Sequence, residues 1–345
     1  MSLRIESFAD TADKAEFIRA FSTFGPEVVG LSQHYLETLL PLYIASGNIW
    51  IACIDGVVVG RLAGSRSAVD LRRGGLGLLA LDEHHSRRRE IGKLLIQVSL
   101  DWLATLGVDQ TFAPIDINTW FRFRLAEEDF RHPPPFSWEP GVQQLWQEIL
   151  QKFGFSKAIH FKTAIFDTPD LSPALNVLGP HVRRAEAEGY TFRNFASDGD
   201  LDRDLRLTHQ FSHACFQGSA LFEPIEFSLY ERSFGHIIEA GAKDTSFFIC
   251  GPDGRELGFI FAFIENNYLV VKTIYVLPDF AREKARKWAA SATLLHRAIQ
   301  RGMELKVRGG VAAMMRDDAT SNLLVRWQKW MEPIMRHYFL LAHDV

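Results

Sequence analysis

The sequence predicts an α/β chain built from two tandem copies of one unit, each a mixed, mostly antiparallel sheet flanked by helices. The first observation is length: 345 residues exceed the roughly 100 to 200 that one hydrophobic core usually organises. The second is an internal repeat. Cys53, Gly56, Gly60 and Gly107 recur at a nearly constant interval as Cys250, Gly254, Gly258 and Gly302, so the halves read as copies. The third is the shared order of β-branched runs, tight turns and one long amphipathic stretch. The expected units are residues 1–167 and 184–345, joined by a linker at 168–183 that holds Pro169, Pro173 and Pro180. Each is long enough to bury its own core.

In the first half, a strand at 3–8 precedes helical segments that include 35–46. Strands at 48–54 and 57–63 meet at Asp55 and Gly56, a strong hairpin signal. A strand at 75–81 leads into a helix at 87–106, with Ile91, Leu95, Val98 and Trp102 on one face and Gly107 as its stop. A helix at 143–153 and a strand at 158–166 close the unit. The second half repeats this order with strands at 190–195, 245–250, 256–263, 268–277 and 336–341. Its helices are expected at 201–215, 284–301 and 321–330.

Composition excludes several classes. Apolar residues at 47% and charged residues at 23% are those of an ordinary globular chain. A formal net charge of −4 argues against wholesale attraction to nucleic acid or anionic lipid, so any anion site is local. Cys53, Cys215 and Cys250 show no metal-ligand or redox spacing, which leaves reduced structural thiols. No apolar run approaches the roughly 20 residues of a membrane span, and residues 1–10 carry no leader pattern. The expected location is the cytoplasm, with neither nucleic acid nor membrane as partner.

The chemistry is sought where each half passes from strand to long helix. In the second half, Val276, Leu277 and Pro278 end the strand, and Arg286 to Ser291 follow with Ala289 and Ser291 at small-residue positions. In the first half, Arg89 and Gly92 stand three apart. This order of elements, with these turns, resembles the GNAT acetyltransferase superfamily, and most closely its two-domain members, over nearly the whole chain. In that family the turn reads roughly Val-x-Pro and then Gln/Arg-x-x-Gly-x-Gly/Ala, and its amides cradle the coenzyme A diphosphate. Small residues let backbone approach phosphate, and a helix N-terminus favours an anion.

The resemblance implies an acyl-CoA site, for acetyl-CoA or another acyl-CoA, in the second half at Val276, Arg282, Lys284, Arg286, Ala289, Ser291 and Asn322. The stretch 279–285 is longer than the family turn, and the four basic residues between 282 and 287 supply charge instead. Arg89 and Gly92 are the corresponding candidates in the first half, where Leu94 fills the next small position and Asp82 and Glu83 oppose a phosphate. The first half is therefore expected to be a degenerate scaffold.

Acyl transfer needs a polarising N–H, a base and an acid. The family takes the N–H from the fourth strand, here near Tyr275 and Val276. Glu265 and Glu223 are candidate bases and Tyr275 the candidate acid; each also reads as an ordinary surface or core residue. His84 with His85, and His209 with His213, lack the further ligands of a metal site. Trp120 and the proline-rich segment 132–140 read as packing or as a pocket wall.

The expected function is N-acyl transfer from acyl-CoA to a small amine, amino acid or peptide amine. The alternative is a catalytically inactive tandem module that binds a ligand or protein. Residues 279–291 separate them: a turn closed around phosphate favours the enzyme, and a helix there favours the binder. Transfer from aminoacyl-tRNA fits the acidic net charge poorly.

Overall fold

The computed structural model describes residues 2–24, 33–129, 134, 136–141, 143–197, 199–237, 241–285, 287–317 and 332–344. The first half contributes β1 (Leu3–Ser7), α1 (Lys14–Thr23), α2 (Gln33–Ser46), β2 (Gly47–Ile54), β3 (Val57–Arg66) and β4 (Arg73–Leu81). It continues with α3 (Arg88–Thr105), β5 (Gln110–Ala113), the short β6 (Leu125–Ala126), α4 (Gln144–Lys152) and β7 (Ser156–Phe166). The second half opens with α5 (Ser172–Ala187), β8 (Thr191–Asn194), α6 (Leu201–Phe216), α7 (Phe227–Ile237) and the single turn α8 (Lys243–Thr245). It then runs through β9 (Phe247–Cys250), β10 (Glu256–Glu265), β11 (Tyr268–Val276), α9 (Pro278–Lys284), α10 (Ala290–Glu304), β12 (Gly309–Arg316) and β13 (Ile334–Asp344).

Local chemistry explains the sharper features. Asp55 and Gly56 take φ of 49° and 84°, the left-handed pair that a two-residue hairpin needs. Asp13 and Asp200 cap α1 and α6 by accepting from the N–H groups of Glu16 and Arg203. The segment expected to be a linker is mostly helical: α5 packs on α10, with Leu178 and Ala185 in one core with Ala290, Leu294 and Ala298. Of the three prolines read as linker chemistry, Pro180 sits inside the helix. The helix expected at 284–301 is divided into α9 and α10. The helix expected at 321–330 lies outside the described residues.

Thirteen strands form one sheet in the order β1-β2-β3-β4-β5-β13-β7-β12-β11-β10-β9-β8, with β6 pairing β13. β4 and β5 are parallel, as are β11 and β12; the other neighbours are antiparallel. The sequence does not announce what happens at the centre. The last strand of the second half, β13, lies against β5 of the first half, while β7 of the first half lies against β12 of the second. β13 and β7 pair with each other from Ile334–Ile165 to Ala342–Ser156. The expectation that each half closes its own core is thereby corrected, because each sheet is completed by the other half's last strand.

β13 is apolar on both faces. Phe339 and Leu341 join the core beneath α3 and α4, and Tyr338 and Leu340 join the core over the sheet centre; all four are fully buried. Leu340→Ala is expected to cost about 2–5 kcal/mol. Calorimetry should show both halves lowered together in one transition; a variant that melts one half and spares the other would contradict the exchange.

Candidate functional site

In both halves the strand before the long helix carries a bulge. On β4, Gly60–Leu81 and Arg61–Ala80 pair regularly, and then Ala63 faces Gly77, so β4 holds one residue too many, with Leu78 at φ 48°. On β11, Phe261 faces Thr273 and Ala262 faces Val271, which leaves Lys272 as the extra residue. Bulges of this kind redirect backbone groups out of the ladder. Counted back from the strand ends that face Gly60 and Gly258, Lys272 stands where Gly77 stands (81 − 77 and 276 − 272).

The gap between β4 and β5 is closed by the chain itself. Ile115 N–H donates to Leu76 O at 2.8 Å, and the Asp116 carboxylate accepts from the redirected Leu78 N–H at 2.7 Å. Tyr35 Oη donates to the other Asp116 oxygen at 2.8 Å, and Tyr43 Oη accepts from Ile117 N–H at 3.2 Å. A Cβ at Gly77 would lie 2.4 Å from Asp116 Oδ1 and 2.5 Å from Tyr43 Oη, so only glycine admits this arrangement. Arg61 is fully buried nearby, with Nη1 on Phe21 O at 2.6 Å and both Nε and Nη2 without partners.

Burial sets the proton affinities here. It holds the Asp116 carboxyl above its ordinary range against the hydrogen bonds from Leu78 and Tyr35, and it lifts both tyrosines. It lowers Arg61 to about 10, with Asp116 opposing the shift.

The second half is arranged differently. Pairing of β11 with β12 stops at Val271–Ala312, and residues 271–277 are all partly exposed, whereas 74–81 on β4 are buried. No carboxylate reaches the bulge among the described residues. Lys272 fills the position of Gly77, and burial and the neighbouring Arg124 lower its ammonium to about 7.

The strand-to-helix turns differ as well. In the first half residues 82–87 lead directly into α3. Arg88 N–H bonds to His85 O and Arg87 N–H to His85 Nδ1, while the N–H groups of Arg89 and Glu90 have no partner among the described residues. In the second half the seven-residue α9 intervenes. The N–H groups of Ala281, Ala285, Lys287 and Trp288 bond within the turn, and that of Ala289 donates to His181 Nδ1 at 3.1 Å. Trp288 is buried against Tyr190 and Phe280, which fills the space under the turn.

The residues singled out from sequence do not converge. Glu265 ends β10 and accepts from Ser137 N–H at 3.0 Å and from its hydroxyl. Glu223 is buried and accepts from Ala68 N–H at 3.2 Å, across to the first half. Tyr275 packs on Phe211 with ring centroids 5.8 Å apart; burial raises its phenol. Val276 packs in the core under α10. Arg282 pairs with Asp279, and Lys284 pairs with Glu283 and Glu188 at 2.8 and 3.0 Å. Ala289 caps α10 and Ser291 is exposed in its first turn. Arg286 and Asn322 lie outside the described residues. Arg89 pairs with Glu148 at 2.9 Å. Gly92 faces α4, since a Cβ there would lie 2.6 Å from Ile149 Cδ1; its smallness serves helix packing.

Sequence reasoning passed over Asp116, Tyr35, Tyr43, Arg61, Arg124 and Lys272. A signal existed for two of them: Arg61 and Lys272 are single charges inside apolar strand runs, an arrangement that costs stability unless it has a use.

Residues 16–119 match the sequence profile of the Acetyltransferase (GNAT) family, a segment that contains the first-half turn and Asp116. No curated protein matches the chain by sequence. Among solved structures, the chain resembles a tandem GNAT protein from the clavulanic acid biosynthesis pathway at 13% identity, covering 99% of this chain and 98% of that one with a TM-score of 0.54. A GCN5-related N-acetyltransferase from Kribbella flavida is similar at 13% identity over 99% and 71%, with a TM-score of 0.55. A glucosamine N-acetyltransferase region of a fungal multi-domain GH3 beta-N-acetylglucosaminidase gives 13% identity and a TM-score of 0.54; the match covers 99% of this chain and 38% of that one. These likenesses show the fold, which is that of two tandem GNAT units. No helix among the described residues is long and apolar enough to cross a membrane.

Asp116 gives a prediction that needs no ligand. Its raised carboxyl pKa means that the folded protein binds the proton more tightly than the unfolded chain, so stability falls as pH rises from the ordinary carboxylate range through the folded value. Asp116→Asn keeps an oxygen for Leu78 N–H and removes the charge. Urea unfolding at about pH 5 and about pH 7.5 is expected to show a smaller decline in the variant; an unchanged decline would mean that Asp116 does not titrate in this window.

Proposed function

We propose that this chain, whose fold is that of two tandem GNAT units, transfers an acyl group from acyl-CoA to a small amine in its first half. This reverses the assignment expected from the turn sequences. The observation that carries it is the short turn at 82–87, which delivers two unused helix amides and Arg87, Arg88 and Arg89 directly beyond a strand bulge whose N–H, at Leu78, is turned into the β4–β5 gap. The family match over 16–119 supports the same half. In the second half α9 intervenes, the amides from 281 to 289 named above are engaged and Trp288 occupies the space beneath, which leaves a diphosphate only the N–H groups of Ala290 and Ser291 at the start of α10.

The first-half residues suit the group in chemistry. Arg87, Arg88 and the amides of Arg89 and Glu90 would hold the diphosphate, with Arg87 exchanging its exposed pair with Glu90 for phosphate oxygens. The acyl-CoA supplies an activated acyl group. Leu78 N–H offers the donor for its carbonyl once Asp116 has left it. The freed Asp116 carboxylate, whose proton affinity burial has raised, would take the proton from the attacking amine as the C–N bond forms and the thioester C–S bond breaks, and would return it to the departing thiolate; Tyr35, which donates to Asp116 and accepts from Arg122 N–H, keeps the carboxylate aimed into the gap.

A second reading rests on the same carboxylate. If Asp116 is a permanent occupant of the Leu78 N–H, the unit has lost its acyl site and the chain is a non-catalytic binding module. Calorimetric titration with acetyl-CoA separates the two. Transfer predicts saturable binding by the wild type, roughly tenfold weaker in Arg87→Ala, and an Asp116→Ala variant that binds without turning over amines. The plug predicts no binding by the wild type and gain of binding in Asp116→Ala. Binding unaffected by Arg87→Ala, or absent from both the wild type and Asp116→Ala, would overturn the first-half site.

A further inference from the structure

We propose that the junction between the halves is a binding site for a small organic carboxylate, held by Arg124 of the first half and Lys272 of the second. This goes beyond the acyl-transfer reading and does not depend on it, because it concerns the opposite bulge.

Among the described residues the site has no counter-charge of its own. Arg124 is 9% exposed, and its guanidinium carbon lies 3.7 Å from the Phe123 ring centroid and 4.3 Å from that of Phe161. Its Nη1 has only the sulfur of Met314, at 2.7 Å, a weak acceptor, and its Nε has no partner. Lys272 extends from the β11 bulge with Nζ 5.8 Å from the Trp138 ring centroid. Neither cation meets a carboxylate among the described residues. Two neighbouring acids are engaged elsewhere: Glu139 holds Arg336 and Tyr338, and Glu265, at the end of β10, holds Ser137.

The two neighbouring cations repel, and each is poorly solvated, Arg124 being buried and Lys272 partly exposed; burial lowers Arg124 to about 9, and burial with Arg124 lowers Lys272 to about 7. Hydrophobic residues of similar size would fill the same space without that cost. A carboxylate placed between them would remove it, accepting from the free guanidinium edge and from the ammonium. The backbone at Arg124 is also held at φ 93°, an uncommon conformation for a non-glycine residue. The walls, Phe123, Phe161 and Trp138, suit a flat or apolar body behind the charged head. Such a monoanion matches the site better than a phosphate dianion, which wants more donors than two side chains offer.

The test uses the full chain and a panel of acetate, benzoate and phenylacetate, with inorganic phosphate as control. At least one carboxylate is expected to raise the melting temperature saturably and to protect Lys272 from trinitrobenzenesulfonate at neutral pH, as read by peptide mass mapping. Arg124→Gln and Lys272→Met should each weaken that binding at least tenfold while near-ultraviolet circular dichroism shows the fold retained. If Arg124→Gln does not fold, Lys272→Met alone decides. Failure of every carboxylate, response to phosphate alone, or equal binding by a folded variant would overturn the site.

Discussion

β13 lies between β5 and β7, and nearly everything else in the molecule depends on that exchange. A strand in this position must be apolar on both faces, and it is: Phe339 and Leu341 face one core while Tyr338 and Leu340 face the other. Side chains alternate along a strand, so a slip of one residue would swap the two sets and place Arg336 against the wrong neighbours. Arg336 is almost wholly buried and pairs with the buried Glu139 of the first half, which also accepts from Tyr338. A buried ion pair of this kind contributes little net stability. Its use is to make one register far better than the alternatives, because a slipped β13 would strand a charge in the interior.

The exchange also explains why the halves meet as closely as they do. Trp120, on the loop after β5, inserts among His213, Phe216, Phe222, Tyr230 and Phe234 of the second half, and its Nε1 donates to Glu223 O at 2.7 Å. The Glu223 side chain returns the contact at Ala68. Aromatic packing and a satisfied indole make this a rigid junction, consistent with a continuous sheet and inconsistent with free rocking of one half on the other. The same loop carries Asp116 to the first bulge and Arg124 to the second. One connection therefore determines what each half presents at its centre.

Much of this was legible in the residues, and what was not has physical reasons. Period-2 runs with turn residues placed β2, β3, β10 and β11 correctly, and the helical pattern from Arg88 to Thr105 was plain because one face is apolar. The proline-bearing segment around Pro173 was misleading: proline at a helix start is favourable, and Pro180 is accommodated in α5. Strand exchange left no sequence mark, since β7 and β13 need the same apolar alternation whichever partner they find. For a similar reason the candidate site residues do not come together. A Val-x-Pro pattern at Val276 and a basic cluster looked like a phosphate turn, yet Pro278 starts a helix whose carbonyls take up the amides. Gly92 matched the spacing of a phosphate-approach glycine, but its neighbour is Ile149.

The two bulges show how duplicated units diverge once they share a core. At equivalent positions one half has Gly77 and the other Lys272. Glycine lets Asp116 and Tyr43 close around it, and the buried carboxylate settles on the redirected N–H of Leu78. Lysine at that point excludes such closure by size, and its charge would attract a carboxylate if one were within reach. None of the described residues supplies it, and Arg124 stands there instead. The first half thus encloses a carboxylate of its own beside the buried, partly unsatisfied Arg61, while the second sets the buried Arg124 and the partly exposed Lys272 together with no carboxylate among the described residues. A polar group buried without its full set of partners is costly, so unsatisfied charges beside both bulges point to ligands rather than to folding as their use.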